Sequence, residues 1–117
     1  MKLSKTLFLI ILSPLILASE RDISESWCSI VGGDSEFRTT EGTYVDCLTE
    51  EFAIEVEFDF KWKESIGQAL HYAQVTNKKA GILLIKRAKS KKDYHDQLMQ
   101  VIRKYDLPIK VFKIEES

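Results

Sequence analysis

The chain has 117 residues, 44% of them apolar, with five glycines, two prolines and two cysteines. That leaves room for one domain and excludes a disordered tail, a collagen-like or low-complexity chain, a disulfide-dense scaffold and a four-thiolate zinc site. The net charge of −1 conceals a split, since residues 20–59 hold twelve acids and two bases while residues 60–117 hold thirteen bases and six acids. An acidic half followed by a basic half implies local electrostatic work.

At the amino end, Lys2 and Lys5 precede the apolar run Leu7 to Leu12, and Leu15 to Leu17 follow Ser13 and Pro14. Small Ala18 and Ser19 then give way to the charged Glu20, Arg21 and Asp22. A basic start, a short apolar stretch and a small-residue exit are the layout of a secretory signal. The stretch is shorter than the roughly 20 apolar residues that span a bilayer. The expectation is a signal over residues 1–19, an exported (periplasmic or secreted) domain over 20–117, and no stable membrane insertion once the signal is cleaved. An uncleaved signal would tether the protein to the envelope.

Export sets the reading of the thiols. In an oxidising compartment an even pair of cysteines usually bridges, so Cys28 and Cys47 are expected to form a disulfide, two buried free thiols being the alternative. Neither His71 nor His95 shows a local sign of partnering Cys28 as a nucleophile, and the two histidines lack zinc-ligand spacing.

Asp22 or Ser24 can cap a first helix carrying Ile23, Trp27 and Ile30, which stops at Gly32-Gly33. Residues 36–40 and 43–48 read as two strands around the turn Glu41-Gly42. Phe52 to Phe58 alternates, with Phe52, Ile54, Val56 and Phe58 on one face and Ala53, Glu55 and Glu57 on the other. Residues 61–77 read as a helix, and the apolar run 81–85 as a strand buried on both faces. Residues 91–105 form a second amphipathic helix with Tyr94, Leu98, Val101, Ile102 and Tyr105 on its apolar side. After Pro108, residues 109–114 alternate as a last strand. The order is helix, three strands, helix, strand, helix, strand, an α/β layer fold with hairpins at one end and βαβ crossovers at the other.

The strand pair over 44–58 carries the chemistry. If Glu50-Glu51 form a two-residue turn, Asp46 falls opposite Glu55 and Tyr44 opposite Glu57, so three acids share one face. Like charges so placed repel, and a divalent cation reverses that cost: Mg²⁺ takes one or two carboxylates, water and substrate phosphate oxygens. A solvent-facing acidic sheet surface is the bland alternative, and a three-residue turn would separate the acids. On the next helix, at about 100° per residue, Lys61, Ser65, Gln68 and Tyr72 form one polar column. Trp62, Ile66, Ala69 and Ala73 form the core stripe beside it. Such a column can neutralise a phosphate or hydrogen-bond a nucleic-acid backbone.

These stretches, residues 44–49, 53–58 and 61–72, resemble the PD-(D/E)XK nuclease-like superfamily. The mature region also resembles a group of small bacterial proteins carrying the same segment. The resemblance implies a restriction-endonuclease-like core (helix, three strands, helix, strand) with an added C-terminal helix and strand. It also implies Mg²⁺ or Mn²⁺ held by Asp46 and Glu55, and substrate or water positioned by Gln68 and Tyr72. The pattern wants lysine at position 57, where this chain has Glu57. Glu57 would add a ligand or accept a proton, and Lys61, which opens the helix, is the candidate displaced lysine. Glu36 and Glu25 are candidate accessory acids.

Lys86, Arg87, Lys89, Lys91 and Lys92 put five positive charges into seven residues. Such a run can grip a nucleic-acid backbone without reading sequence, and no aromatic residue is interleaved with it to stack on bases. The sequence therefore leads to an exported metal-dependent nuclease, acting on DNA or RNA. A non-catalytic secreted binding module on a degenerate nuclease fold is the alternative.

Overall fold

The computed structural model describes residues 19–116. The signal expected over residues 1–19 lies outside the described residues, apart from Ser19. The elements in chain order are helix α1 (Glu20–Ile30), strands β1 (Asp34–Arg38), β2 (Tyr44–Leu48) and β3 (Phe52–Phe58), a 3₁₀ turn (Asp59–Lys61), helix α2 (Trp62–Thr76), strand β4 (Lys79–Lys86), helix α3 (Tyr94–Lys104) and strand β5 (Ile109–Glu115). They form a mixed α/β fold with three helices and one five-stranded sheet of order β1-β2-β3-β4-β5. The first two pairings are antiparallel and the last two parallel.

Local chemistry sets the element ends. Ser19 caps α1, its hydroxyl accepting the Asp22 amide at 3.0 Å. This corrects the expected cap at Asp22 or Ser24: those residues lie inside the first turn, where Glu20 and Asp22 complement the positive end of the helix. Asn77, left-handed at φ 55°, ends α2, and the Asp93 carboxylate accepts the Asp96 amide at 3.0 Å to open α3. The β1–β2 turn is longer than the expected pair Glu41-Gly42. Arg38 faces Tyr44, and the five residues between are tied by a 2.8 Å contact between the Thr39 and Thr43 hydroxyls.

The sheet is covered on both faces. On one, α2 and α3 pack Trp62, Ala69, Leu98 and Ile102 onto Ala80, Ile82, Leu84 and Ile109. Ile66 and Ala73 join them, so the core stripe of α2 is the one its periodicity indicated. On the other face α1 packs Ile23, Trp27 and Cys28 onto Cys47, Ile54, Val56, Leu83 and Ile85. Both βαβ crossovers advance the sheet in the same direction, and with connections of one hand this places α2 and α3 on one face. It also aligns the carboxyl ends of β3, β4 and β5 along one edge, the edge at which parallel α/β sheets receive ligands.

Cys28 and Cys47 are joined by a disulfide that ties α1 to β2, and both are fully buried. Gly33 makes the approach feasible: a Cβ there would lie 2.6 Å from the Cys47 sulfur and 2.8 Å from that of Cys28. Such a bridge fits an oxidising compartment. Among the described residues no helix is long and apolar enough to cross a membrane.

Candidate active site

The site begins with the β2–β3 turn. Thr49 and Phe52 close it, the Thr49 amide donating to the Phe52 carbonyl at 2.9 Å and the Phe52 amide to the Thr49 hydroxyl at 2.9 Å. Only Glu50 and Glu51 lie between, as expected, and Leu48 faces Ala53 and Cys47 faces Ile54. There the ladder stops. The expected pairings of Asp46 with Glu55 and Tyr44 with Glu57 are not ladder pairs; instead the Val56 amide donates to the Asp46 carboxylate at 2.7 Å. A side chain has taken a donor that the register would give to the backbone of β2, and the strands part at that point.

The other side of β2 is interrupted at the same level. Ser35 faces Cys47 and Phe37 faces Val45, so Glu36 lies across from Asp46, yet it is skipped by the pairing and left-handed at φ 52°. A non-glycine residue in that region carries local strain, which in folded proteins concentrates at functional positions. Asp46 thus sits beside a skipped position of β1 on one flank and just past the end of the β2–β3 ladder on the other.

Two further acids lie on β3. Glu55 is 3% exposed and Glu57 7% exposed, unusual burial for carboxylates. Burial, a hydrogen bond to Asp46 and the charges of Asp46, Glu57 and Glu20 push the Glu55 carboxyl up to about 10. Burial and the charge of Glu20 raise Glu57 to about 7, with Lys61 pulling the other way. Glu57 in turn hydrogen-bonds Glu20, which is also raised, by burial and by Asp46. Four acids from three elements converge: Glu20 from α1, Asp46 from β2, Glu55 and Glu57 from β3.

Helix α2 supplies the rest. Lys61 occupies its N-cap position, and its charge is felt by both Glu57 and Glu20. The Tyr72 hydroxyl donates to Gln68 Oε1 at 3.2 Å and is raised to about 12, by burial and then by the charges of Glu55, Asp46, Glu36 and Glu57. Ser65 plays a different part from its column mates: it is fully buried and turns its hydroxyl onto the Trp62 carbonyl at 2.6 Å. Glu25 stands apart on α1, paired with Arg21 at 3.1 Å, whereas Glu36 is close enough to act on Tyr72.

Sequence reasoning missed Glu20, because the residue falls at the boundary of the expected signal. The readable sign was Ser19, a good N-cap residue, followed directly by an acid in the first turn.

The donor set is hard oxygen, the kind that Mg²⁺ and Mn²⁺ select. Among the described residues no three His, Cys, Asp or Glu side chains stand in a ready-made metal-holding arrangement. Glu55 lies within hydrogen-bonding reach of Asp46, and Glu57 of Glu20. A positive charge entering the cluster would favour the ionised form of these acids.

No family model matches the chain, and no solved structure matches it. Over 94 residues, 80% of its length, it is 30% identical to a protein of Acanthamoeba polyphaga mimivirus named for a KilA-N domain. The chain spans 37% of that relative's length.

Proposed function

We propose that this chain is an exported, metal-dependent phosphodiesterase that hydrolyses nucleic acid on a restriction-endonuclease-like core. The single observation that carries the reading is the convergence of Asp46 and Glu55 where the β2–β3 ladder parts, with Gln68 and Tyr72 on the adjoining helix. The element order, a helix, an antiparallel three-stranded unit, a helix and a parallel strand, is the core order of the superfamily that the sequence resembles. The buried disulfide supports export.

Asp46 and Glu55 would hold the cation, two protein carboxylates being the number that Mg²⁺ commonly takes beside water and substrate phosphate. Bound there, it would supply Lewis acidity at the scissile phosphate and lower the pKa of a water. Lys61 places a positive charge beside Glu57, able to orient or neutralise a phosphate oxygen. Glu57, poised at about 7, can take a proton from the attacking water at neutral pH. Tyr72, held by Gln68, remains a hydroxyl donor throughout the physiological range and can bond a phosphate or a water.

Incubation of the purified, disulfide-bonded protein with single- and double-stranded DNA and RNA in Mg²⁺ or Mn²⁺ tests the reading. Cleavage should occur, and Asp46→Ala or Glu55→Gln should lower it at least about 100-fold, the scale seen when a group that stabilises a transition state is removed. A folded protein that binds the metal and cuts none of these substrates would overturn it. Glu57 in place of lysine favours the second reading, a binding module with lost chemistry. On that reading metal titration gives no specific heat, and Asp46→Ala changes nothing.

A further inference from the structure

The basic run after β4 has an aromatic partner that its own sequence lacks. Phe60, in the 3₁₀ turn after β3, is 42% exposed. The Arg87 guanidinium lies over its ring at 4.0 Å from the centroid, and Lys61 Nζ lies 5.6 Å from the same centroid. β3 and β4 are parallel and in register up to Phe58 opposite Ile85, so both segments leave the sheet at the same edge. Lys61 links the two halves of this surface, since it also acts on Glu57 and Glu20.

The arrangement is held from beneath. Asp59 is 1% exposed and accepts Arg87 Nε at 3.2 Å through one carboxylate oxygen. Its second oxygen is buried and has no hydrogen-bond partner. A buried carboxylate satisfied on one side only is costly, and the residues around it gain nothing in packing from its charge. What it does provide is a fixed Arg87, its Nε held by Asp59 while the guanidinium lies over the Phe60 ring. Lys86, Lys89, Lys91 and Lys92, on the same segment of the chain, are exposed.

We infer that Phe60 and Arg87 form a stacking platform for an unpaired base of a nucleic-acid strand, with the surrounding lysines on its phosphates, beside the acidic cluster. The inference rests on the proposed function and adds a substrate preference to it. An aromatic face with an adjacent guanidinium takes any base, because every base has a π-face, whereas a duplex keeps its bases stacked inside. The lysines contribute affinity for either form, without sequence preference.

Fluorescence anisotropy with a labelled 12-nucleotide oligothymidylate, in EDTA so that no cleavage occurs, measures this directly on the full disulfide-bonded chain. Wild-type protein should bind the single strand more tightly than the matching duplex. Phe60→Ala should weaken single-strand binding about 5- to 100-fold, the range for losing one base–aromatic stack, and leave duplex binding unchanged. Phe60→Trp should retain it. Lys89→Ala, Lys91→Ala and Lys92→Ala should weaken both forms and lower the salt slope by about 0.7 per lost phosphate contact on the single strand. Equal binding by wild type and Phe60→Ala, both folded by circular dichroism, would overturn the inference. So would tighter binding to phosphatidylglycerol vesicles than to the oligonucleotide. A protein that binds by this pattern but never cleaves keeps the platform and loses the nuclease reading. One that cleaves with Phe60→Ala unchanged keeps the nuclease reading and loses the platform.

Discussion

Strands β3, β4 and β5 make a parallel half whose central strand carries an unbroken aliphatic run, Ile82, Leu83, Leu84 and Ile85, all fully buried. The antiparallel half, β1 to β3 with α1, also has a buried core but places the buried acids Glu55 and Glu57 beside the half-buried Asp46 and is fastened by a disulfide. The first half is stable because of what it buries; the second holds acids that oppose its own folding and needs a covalent tie on the opposite face of the sheet. This is the division expected where one part of a domain is scaffold and another is a site kept at the expense of stability.

Truncation in the parallel half should have the largest effect. Leu84→Ala removes a fully buried side chain from the strand between two parallel neighbours and should cost about 2–5 kcal/mol in urea unfolding. Opening the disulfide comes next. The Cys28→Ala/Cys47→Ala double variant frees an 18-residue loop and should cost about 3 kcal/mol by the chain-entropy model. If the second loss were negligible, the antiparallel half would not depend on its tie, and the contrast would fail.

The acids sharpen the comparison through pH. A carboxyl raised from 4.5 to about 10 keeps its proton in the folded state while the unfolded chain has released it. The folded state therefore binds more protons between those values, and stability falls as pH rises through the window. Glu57 adds the same sign between 4.5 and about 7. Metal-free protein should be more stable at pH 5 than at pH 8, and Glu55→Gln should flatten the slope and stabilise the protein at pH 8. Thermal melts across that range measure it; a wild-type stability that rises with pH would contradict the burial of these acids. The smallest effect belongs to Tyr72→Phe. It removes one half-exposed hydroxyl bonded to Gln68 and should change stability by no more than about 1 kcal/mol while lowering cleavage several-fold.

The parts of the molecule that were legible in the sequence are those in which a local pattern decides the outcome. β3 alternates strictly and was found to the residue, and the two-residue turn at Glu50-Glu51 followed from placing two strands on either side of it. The core stripe of α2 followed from its period. Where an outcome depended on contacts between distant segments, the pattern was silent. The ladder ends at Cys47 opposite Ile54, three residues short of the expected Tyr44–Glu57 pair, where the Asp46 carboxylate captures the Val56 amide. Glu20 enters the site only because α1, capped by Ser19, begins at Glu20. Phe60 and Arg87 are 27 positions apart, and only the parallel pairing of β3 with β4 brings them to one edge.

Isothermal titration of Mg²⁺ and Mn²⁺ into the metal-free protein at pH 7, repeated in two buffers of different ionisation enthalpy, tests the central claim most directly. A cation held by Asp46 and Glu55 must displace the proton that Glu55 carries there. The account predicts saturable binding with release of about one proton per ion, and loss of that binding in Asp46→Asn and Glu55→Gln. Binding without proton release, or binding that survives both substitutions, would contradict it.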